Sequence, residues 1–251
     1  MHRRAIALPA LLVAVAIAIG ACGGSTPALT DPAEILTKAV EALQKVKTVH
    51  LEATVDGTVK LDITGTGQAG DIALTGTKLA ADVDVAGSNL KANLEVPAML
   101  GMTADVIVVG GDSYVRTSLL GTKYTKSPTA DAGLPVDGVD PAKSLAELQT
   151  WLKRPEVSPK KIDDKACGSK SCYQVQIDLS AAEMLSLIPG GADMGDAQVI
   201  LTVLVEKDTL RPAGIVVKFG ATAVGEVTLT LTMSKWDESL AITAPPASEV
   251  E

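Results

Sequence analysis

Apolar positions along this chain recur with two periods, and the change from one to the other falls at Thr48. Before it, Ile35, Leu36, Ala39, Val40, Leu43 and Val46 return at spacings of three and four, the stripe of an amphipathic helix over residues 32–47. Asp31-Pro32-Ala33-Glu34 opens that helix with an N-cap, a proline at the first helical position and a glutamate placed for a capping box. From Thr48 the period is two. Val49, Leu51, Ala53 and Val55 alternate with His50, Glu52, Thr54 and Asp56, and Val59, Leu61 and Ile63 continue the pattern beyond Gly57. The alternation returns at Leu79, Ala81, Val83 and Val85, and again at Leu90, Ala92, Leu94 and Val96. It closes the chain at Ile215, Val217 and Phe219 and at Val227, Leu229, Leu231 and Met233. So many half-apolar strands joined by glycine-containing turns predict a large antiparallel sheet with one dry face. Ala104 to Val109 and Val199 to Val205 are apolar on both faces, which places them under covering helices.

Two further helices are predicted. Asp140-Pro141 opens one carrying Leu145, Leu148 and Leu152. Ser180-Ala181-Ala182-Glu183 is a second capping box, before Met184, Leu185 and Ile188, and Pro189-Gly190-Gly191 ends it. Helices and strands do not alternate in a regular βαβ rhythm. The fold class is therefore α+β: a curved antiparallel sheet with helices on its concave or open side. No linker divides residues 32–251, which read as a single domain. Pro245, Pro246 and the acidic end at Glu249 and Glu251 read as a frayed tail.

A different pattern occupies the N-terminus. Arg3 and Arg4 precede an almost unbroken apolar run from Ala5 to Ile19, and small residues then lead to Cys22. This is the layout of a secretory signal over residues 1–21. Ile19-Gly20-Ala21-Cys22 resembles the bacterial lipobox, at which the Cys thiol is acylated and the chain is cut before it. An uncleaved spanning helix would need roughly 20 apolar residues, more than this run supplies. Residues 22–31 then read as the lipidated Cys22 and a flexible tether, whose segment Gly23–Thr30 reaches at most about 29 Å. The expected location is exported, lipid-anchored at the cell membrane and on its extracytoplasmic face.

Charge and cysteines narrow the partners. The chain carries 22 Lys and Arg against 30 Asp and Glu; without Arg3 and Arg4 the balance is 20 against 30, a net charge of −10. That argues against nucleic acid, which needs clustered cations, and against electrostatic docking on anionic lipid. Beyond Cys22, the remaining cysteines, Cys167 and Cys172, flank the turn of a predicted hairpin between Lys161 and Leu179. In an oxidising compartment they read as a structural disulfide. Two thiols with no histidine nearby make a poor zinc site, and C-x4-C is not a redox spacing.

Catalytic constellations are missing from the pattern. His50 is the one histidine left after the signal and lies on the polar face of its strand, where it reads as solvated. Asp82 and Asp84 point outward, Asp163-Asp164 fits no EF-hand loop, and no nucleophile elbow, P-loop or dinucleotide fingerprint occurs. No enzyme, catalytic residue, cofactor or metal is expected. Two Trp, three Tyr and one Phe are too few for the aromatic girdles of an outer-membrane barrel. Val96-Pro97-Ala98-Met99-Leu100-Gly101-Met102 is an apolar link where a polar turn is the rule. It reads either as a buried loop or as a flexible lip, with Met99, Leu100 and Met102 at the mouth of a cavity.

Three stretches carry a resemblance. They are Val46-Lys47-Thr48-Val49-His50-Leu51; Ala104-Asp105-Val106-Ile107-Val108-Val109-Gly110-Gly111-Asp112-Ser113-Tyr114-Val115; and Leu229-Thr230-Leu231-Thr232-Met233-Ser234-Lys235-Trp236, followed by Ile242-Thr243 and Pro245-Pro246. Together they resemble the LppX/LprAFG lipoproteins of mycobacteria, LprG-like proteins whose shape is similar to the LolA/LolB carriers. The Cys167/Cys172 pair and the 97–102 loop stand outside the likeness. The resemblance implies an α+β fold of a curved antiparallel half-barrel sheet with helices covering an apolar cavity, which binds acylated lipids or glycolipids and helps move them across the cell envelope, with an envelope transporter as a protein partner. The dry-face side chains Val49, Leu51, Val55, Leu61, Leu79, Val83, Leu94, Val217, Leu229 and Leu231 would then form its wall. The rival expectation is a protein-interaction or stress-sensing module on the same scaffold with a filled core.

Overall fold

The computed structural model describes residues 28–61, 70–131, 141–155, 157–180, 183, 197–222 and 224–251. Cys22, the signal segment, Ile63 and the body of the third predicted helix lie outside the described residues.

Helix α1 (Pro32–Leu43) begins where the sequence places it. The Asp31 carboxylate accepts a hydrogen bond from the Ala33 amide at 2.9 Å, and Pro32 fills the first turn. It ends four residues earlier than predicted, because the Lys45 and Val46 amides bond three residues back and tighten the chain into a turn. Val46 stays buried in that turn rather than on the helix stripe. Strand β1 (Thr48–Leu61) then runs unbroken through Gly57, whose φ is 125°. A Cβ there would lie 2.1 Å from the Glu226 carbonyl oxygen, so glycine is what lets the neighbouring strand close up.

The remaining strands are β2 (Gly70–Ala73), β3 (Thr77–Asp84), β4 (Asn89–Val96), β5 (Met102–Val109), β6 (Asp112–Thr117), β7 (Thr125–Pro128), β8 (Lys160–Cys167), β9 (Lys170–Ser180), β10 (Gln198–Glu206), β11 (Pro212–Ala221) and β12 (Gly225–Ser234). They form one 12-stranded sheet in the order β7-β6-β5-β4-β3-β1-β12-β11-β10-β9-β8, with β2 paired to the far end of β1. Neighbouring strands are antiparallel throughout. Helix α2 (Pro141–Leu152) connects β7 to β8 and packs beside α1 on β9 and β10. The fold is thus α+β, an open antiparallel sheet with helices on one face. Ser180 and Glu183 form the reciprocal capping box expected at the third helix: the Ser180 amide reaches Glu183 Oε2 at 2.7 Å, and the Glu183 amide reaches Ser180 Oγ at 3.4 Å.

Two expectations are corrected on the opposite face. The C-terminus is not frayed. Ile242 and Val250 pack on Ile107, Tyr114 and Tyr124, while the Tyr124 amide donates to the Glu249 carbonyl at 2.7 Å and Glu251 donates back at 2.9 Å. This docked segment is also what covers the second apolar side of β5. The two-sided apolar pattern of residues 104–109 therefore marks a strap of chain, whereas that of β10 does mark a helical cover.

The first folded residues precede α1. Leu29, read as tether, packs against the main core, and its amide donates to the Tyr173 hydroxyl at 3.0 Å.

Candidate functional site

The site follows from the strand register. Leu94 pairs with Leu79, Leu79 with Ala53, Ala53 with Leu231, Leu231 with Ile215, Ile215 with Val203, and Val203 with Val175. Directly paired residues point to the same side of a sheet, so this is one apolar row crossing seven strands. A second row joins Val55, Leu229, Val217, Leu201 and Ile177, and a third joins Val49, Val83, Leu90 and Val108. Val49, Leu51, Val55, Leu79, Val83, Leu94, Val217, Leu229 and Leu231 therefore share one face. The backbone of Leu61 lies in β1, and its side chain lies outside the described residues.

Among the described residues, helices cover only part of this face. Ile35, Leu36 and Ala39 of α1 and Trp151 of α2 pack with Val175, Ile177, Val199, Val203 and Val205, and this is the main core. Ile177 is 1% exposed there. Between helices and sheet remains a pocket of about 130 Å³ whose lining includes Leu36, Val40, Trp151, Ile177, Leu201 and Ile215. Side chains lining it are apolar throughout. An apolar cavity of this order stays dry and accepts a benzene-sized guest. None of the nine expected wall residues whose side chains are described lines it. Its sheet-side lining comes from β9 to β12, and the pointers were the two-sided apolar run at 199–205 and the stripes of α1 and α2. Trp151, buried and lining the pocket, was overlooked because Leu145, Leu148 and Leu152 already satisfied the helical spacing.

Part of the expected wall occupies the rest of the face, whereas Val217 packs against the covered core and Val49 is buried. Leu79, Val83 and Leu94, with Ala104, Val106 and Val115 beside them, are half-buried, beyond the strands on which α1 and α2 pack. Met102 continues this surface at the strand ends. Met99 and Leu100 do not: they project into solvent, so the loop is neither buried nor folded over a pocket among the described residues.

Polar chemistry lies on the opposite face. His50, expected to be solvated, is half-buried, with Nδ1 2.6 Å from Asp82 Oδ1 and Nε2 3.6 Å from Glu52. The pair borders a recess of about 180 Å³ shared with Lys91, Asn93, Asp105 and Tyr124. Burial pushes the Asp105 carboxyl up, but hydrogen bonds from Asn93 and Arg116 outweigh it and hold the group below the usual carboxylate range. Asp84, also read as solvated, is held low by the Gly87 amide and the Asn89 side chain at a turn. Asp164 is tied to Lys161 and Lys207, which lower it in turn. Each of these carboxylates is engaged in structure. Among the described residues, no group of three or more His, Cys, Asp or Glu is placed to hold a metal ion.

Cys167 and Cys172 form a disulfide, with Cα atoms 5.9 Å apart. They are not directly opposite. Cys172 pairs with Lys165, and Cys167 with Lys170, so the bridge runs diagonally across the β8–β9 turn. Cys172 is fully buried, on the sheet face opposite Tyr173 and Val175.

No protein-family model matches the chain, and no curated protein matches it in sequence. Similarity appears in three dimensions. The lipoprotein LppX of Mycobacterium tuberculosis superposes with a TM-score of 0.53 at 16% identity, over 84% of this chain and 97% of that one. LprF of Mycobacterium bovis superposes with a TM-score of 0.55 at 17% identity, over 85% of this chain and 96% of that one. At such identities the likeness is one of fold, and it spans nearly the whole of both solved structures: this chain has the open-sheet fold of LppX and LprF.

Proposed function

We propose that the chain is an exported lipoprotein, anchored through acyl groups on Cys22, that takes acylated lipids or glycolipids on its apolar face and helps carry them across the cell envelope. The observation that carries this reading is the mismatch, among the described residues, between the apolar face and its helical cover. Leu79, Val83, Leu94 and Val106 continue the rows beyond the covered core and are half-buried among the described residues. Each buried methylene contributes about 0.8 kcal/mol, so a 16-carbon chain gains on the order of 12 kcal/mol by leaving water for such a surface. The pocket under α1 and α2 has room for part of one chain, and the open rows offer the greater length.

Docking of Leu29 supports the anchored geometry. It lies seven residues after Cys22, a reach of about 25 Å when extended. The face therefore stays close to the bilayer that holds the anchor. A shared fold with lipoprotein LppX supports the same reading.

The test is native mass spectrometry, followed by organic extraction, of residues 22–251 carrying Cys22→Ser. This species retains every described residue. Produced in a host with acylated envelope lipids, it is expected to carry stoichiometric lipid. A clean unliganded mass, with no uptake on challenge with phospholipid or glycolipid, would remove the carrier reading.

A further inference from the structure

Two turns at one end of the sheet present the largest exposed apolar side chains of the described residues. Leu100 is 96% and Met99 50% exposed between β4 and β5; Leu120 is 89% and Leu119 57% exposed between β6 and β7. The turns are neighbours. The Ser118 amide donates to the Thr103 carbonyl at 2.9 Å, and the Thr103 amide donates to Ser118 Oγ at 3.0 Å. Both are held by their own backbone bonds: Met99 to Val96, Gly101 to Pro97, Leu120 and Gly121 to Thr117. Folded turns therefore hold these side chains outward.

Leu100 bears a second cost. Its φ is 56°, in the left-handed region where a side chain crowds the backbone and glycine or asparagine is the usual occupant. A leucine that is strained and also almost wholly in water gains nothing from its own fold. Both costs are offset only if another apolar phase receives the side chain.

We infer that the two tips form a wedge that enters the acyl region of a lipid bilayer, as a second membrane attachment remote from the Cys22 anchor. Several features favour a bilayer over a protein partner. A polar recess lined by Thr103, Asp105, Arg116, Ser118, Gly121 and Thr122 lies beside the tips, but none of Met99, Leu100, Leu119 and Leu120 lines it, so the four apolar side chains stand apart from the directed polar groups a protein partner would use. No carboxylate occurs from Val96 to Ala104 or from Thr117 to Ala130, while Lys123 beside the second tip is exposed. Nothing at the tips repels a headgroup layer, and Lys123 is long enough to keep its charge among headgroups. A fluid acyl phase also needs no shape match to two separate Leu and Met pairs.

The position fits as well. Val96 and Met102, which flank the first turn, belong to the apolar face, so the wedge sits at an open rim of that face. Leu29, where the chain arrives from Cys22, lies at the opposite end of the strands, bonded to Tyr173 near the start of β9. A wedge entering the bilayer at this rim opens a direct route between the acyl phase and the rows of Leu79 and Leu94.

The experiment is sedimentation of residues 22–251 carrying Cys22→Ser with phosphatidylcholine vesicles, at low and high salt. The wild-type face and tips are expected to bind with little salt dependence. Leu100→Gly relieves the left-handed strain and is expected to raise the unfolding midpoint while weakening vesicle binding. Leu100→Ser with Leu120→Ser is expected to weaken it on the order of tenfold or more. Uptake of monomeric lipid should be unchanged in all of them. Leu120→Trp should be quenched by lipids brominated along their acyl chains. Wild-type partitioning by the folded Leu100→Gly and Leu100→Ser/Leu120→Ser proteins overturns the wedge. So does a wild type that takes up lipid yet ignores vesicles, an outcome that leaves the proposed function standing. Loss of self-association in the variants, without loss of vesicle binding, assigns the tips to a second copy of the chain and equally overturns it.

Discussion

Val175 and Leu94 stand at two ends of the same side-chain row, yet Val175 is inaccessible to solvent while Leu94 is half-buried. Both come from strands that alternate apolar with polar residues, and both point to the same side of one sheet. What separates them is the layer above. Over β9 and β10 the stripes of α1 and α2 fill the space down to a pocket of about 130 Å³. Over β3 to β6 the apolar rows continue beyond that core. Alternation thus prescribes a dry face without prescribing its cover, and among the described residues the face is broader than the helices that pack on it.

Replacing several open-row leucines sharpens the contrast most. Leu79→Thr, Leu94→Thr and Leu229→Thr together are expected to lower lipid affinity by more than about 100-fold, since each removes on the order of 1.5 kcal/mol or more of apolar burial against an acyl chain. Titration of the folded variant with a fluorescent acyl lipid measures this, and retained affinity would show that the open rows are not the wall. On the covered side the cost falls on folding instead. Ile177→Ala should destabilise by roughly 2–5 kcal/mol through a cavity under α1 and α2, read from the denaturant midpoint. Equal costs for Ile177→Ala and Leu94→Ala would erase the distinction between the two halves.

Removing the disulfide with Cys167→Ser and Cys172→Ala should cost about 2 kcal/mol, as expected for so short a loop. The loss should appear in β8 and β9 at the covered edge, as faster amide exchange there, with lipid uptake retained. Smaller still is the effect at the seam where the tail leaves β12. The Asp237 carboxylate is held below its usual range first by the Lys47 amide at 2.8 Å, and also by Arg211. Because the folded-state value is lowered, its stabilisation is complete above the ordinary value near 4. It is lost as pH falls through the lowered value. Asp237→Asn tolerates the local left-handed backbone and should cost about 1 kcal/mol at neutral pH. That difference from wild type should shrink in acid, as followed by thermal unfolding from pH 7 down to about 2.

Much of this architecture was legible from residue order. The cap at Asp31, the start of α2 at Pro141, the capping box at Ser180 and the membership of one sheet face are local or periodic properties, and a period of two fixes which side a residue takes. Burial at the C-terminus was hidden, because Ile242 and Val250 are isolated apolar residues among polar and proline neighbours, and their partners Tyr114 and Tyr124 are more than a hundred positions away. His50 was misjudged for the same reason: outward from the sheet is not outward to water once a strap of chain crosses that face. The site divided similarly. Periodicity found the rows that stay open, while the closed pocket depends on how two helices cross β9 to β12, a relation no local pattern encodes.

The most direct test of the open-face account is photo-crosslinking with a lipid that carries a diazirine along its acyl chain, mapped by peptide sequencing. The account predicts adducts on β3, β4, β12 and β1, at or beside Leu79, Leu94, Leu229 and Leu51, with the pocket under α1 and α2 as a secondary site. Adducts confined to the polar face around His50 and Tyr124, or spread without preference over the surface, would contradict it.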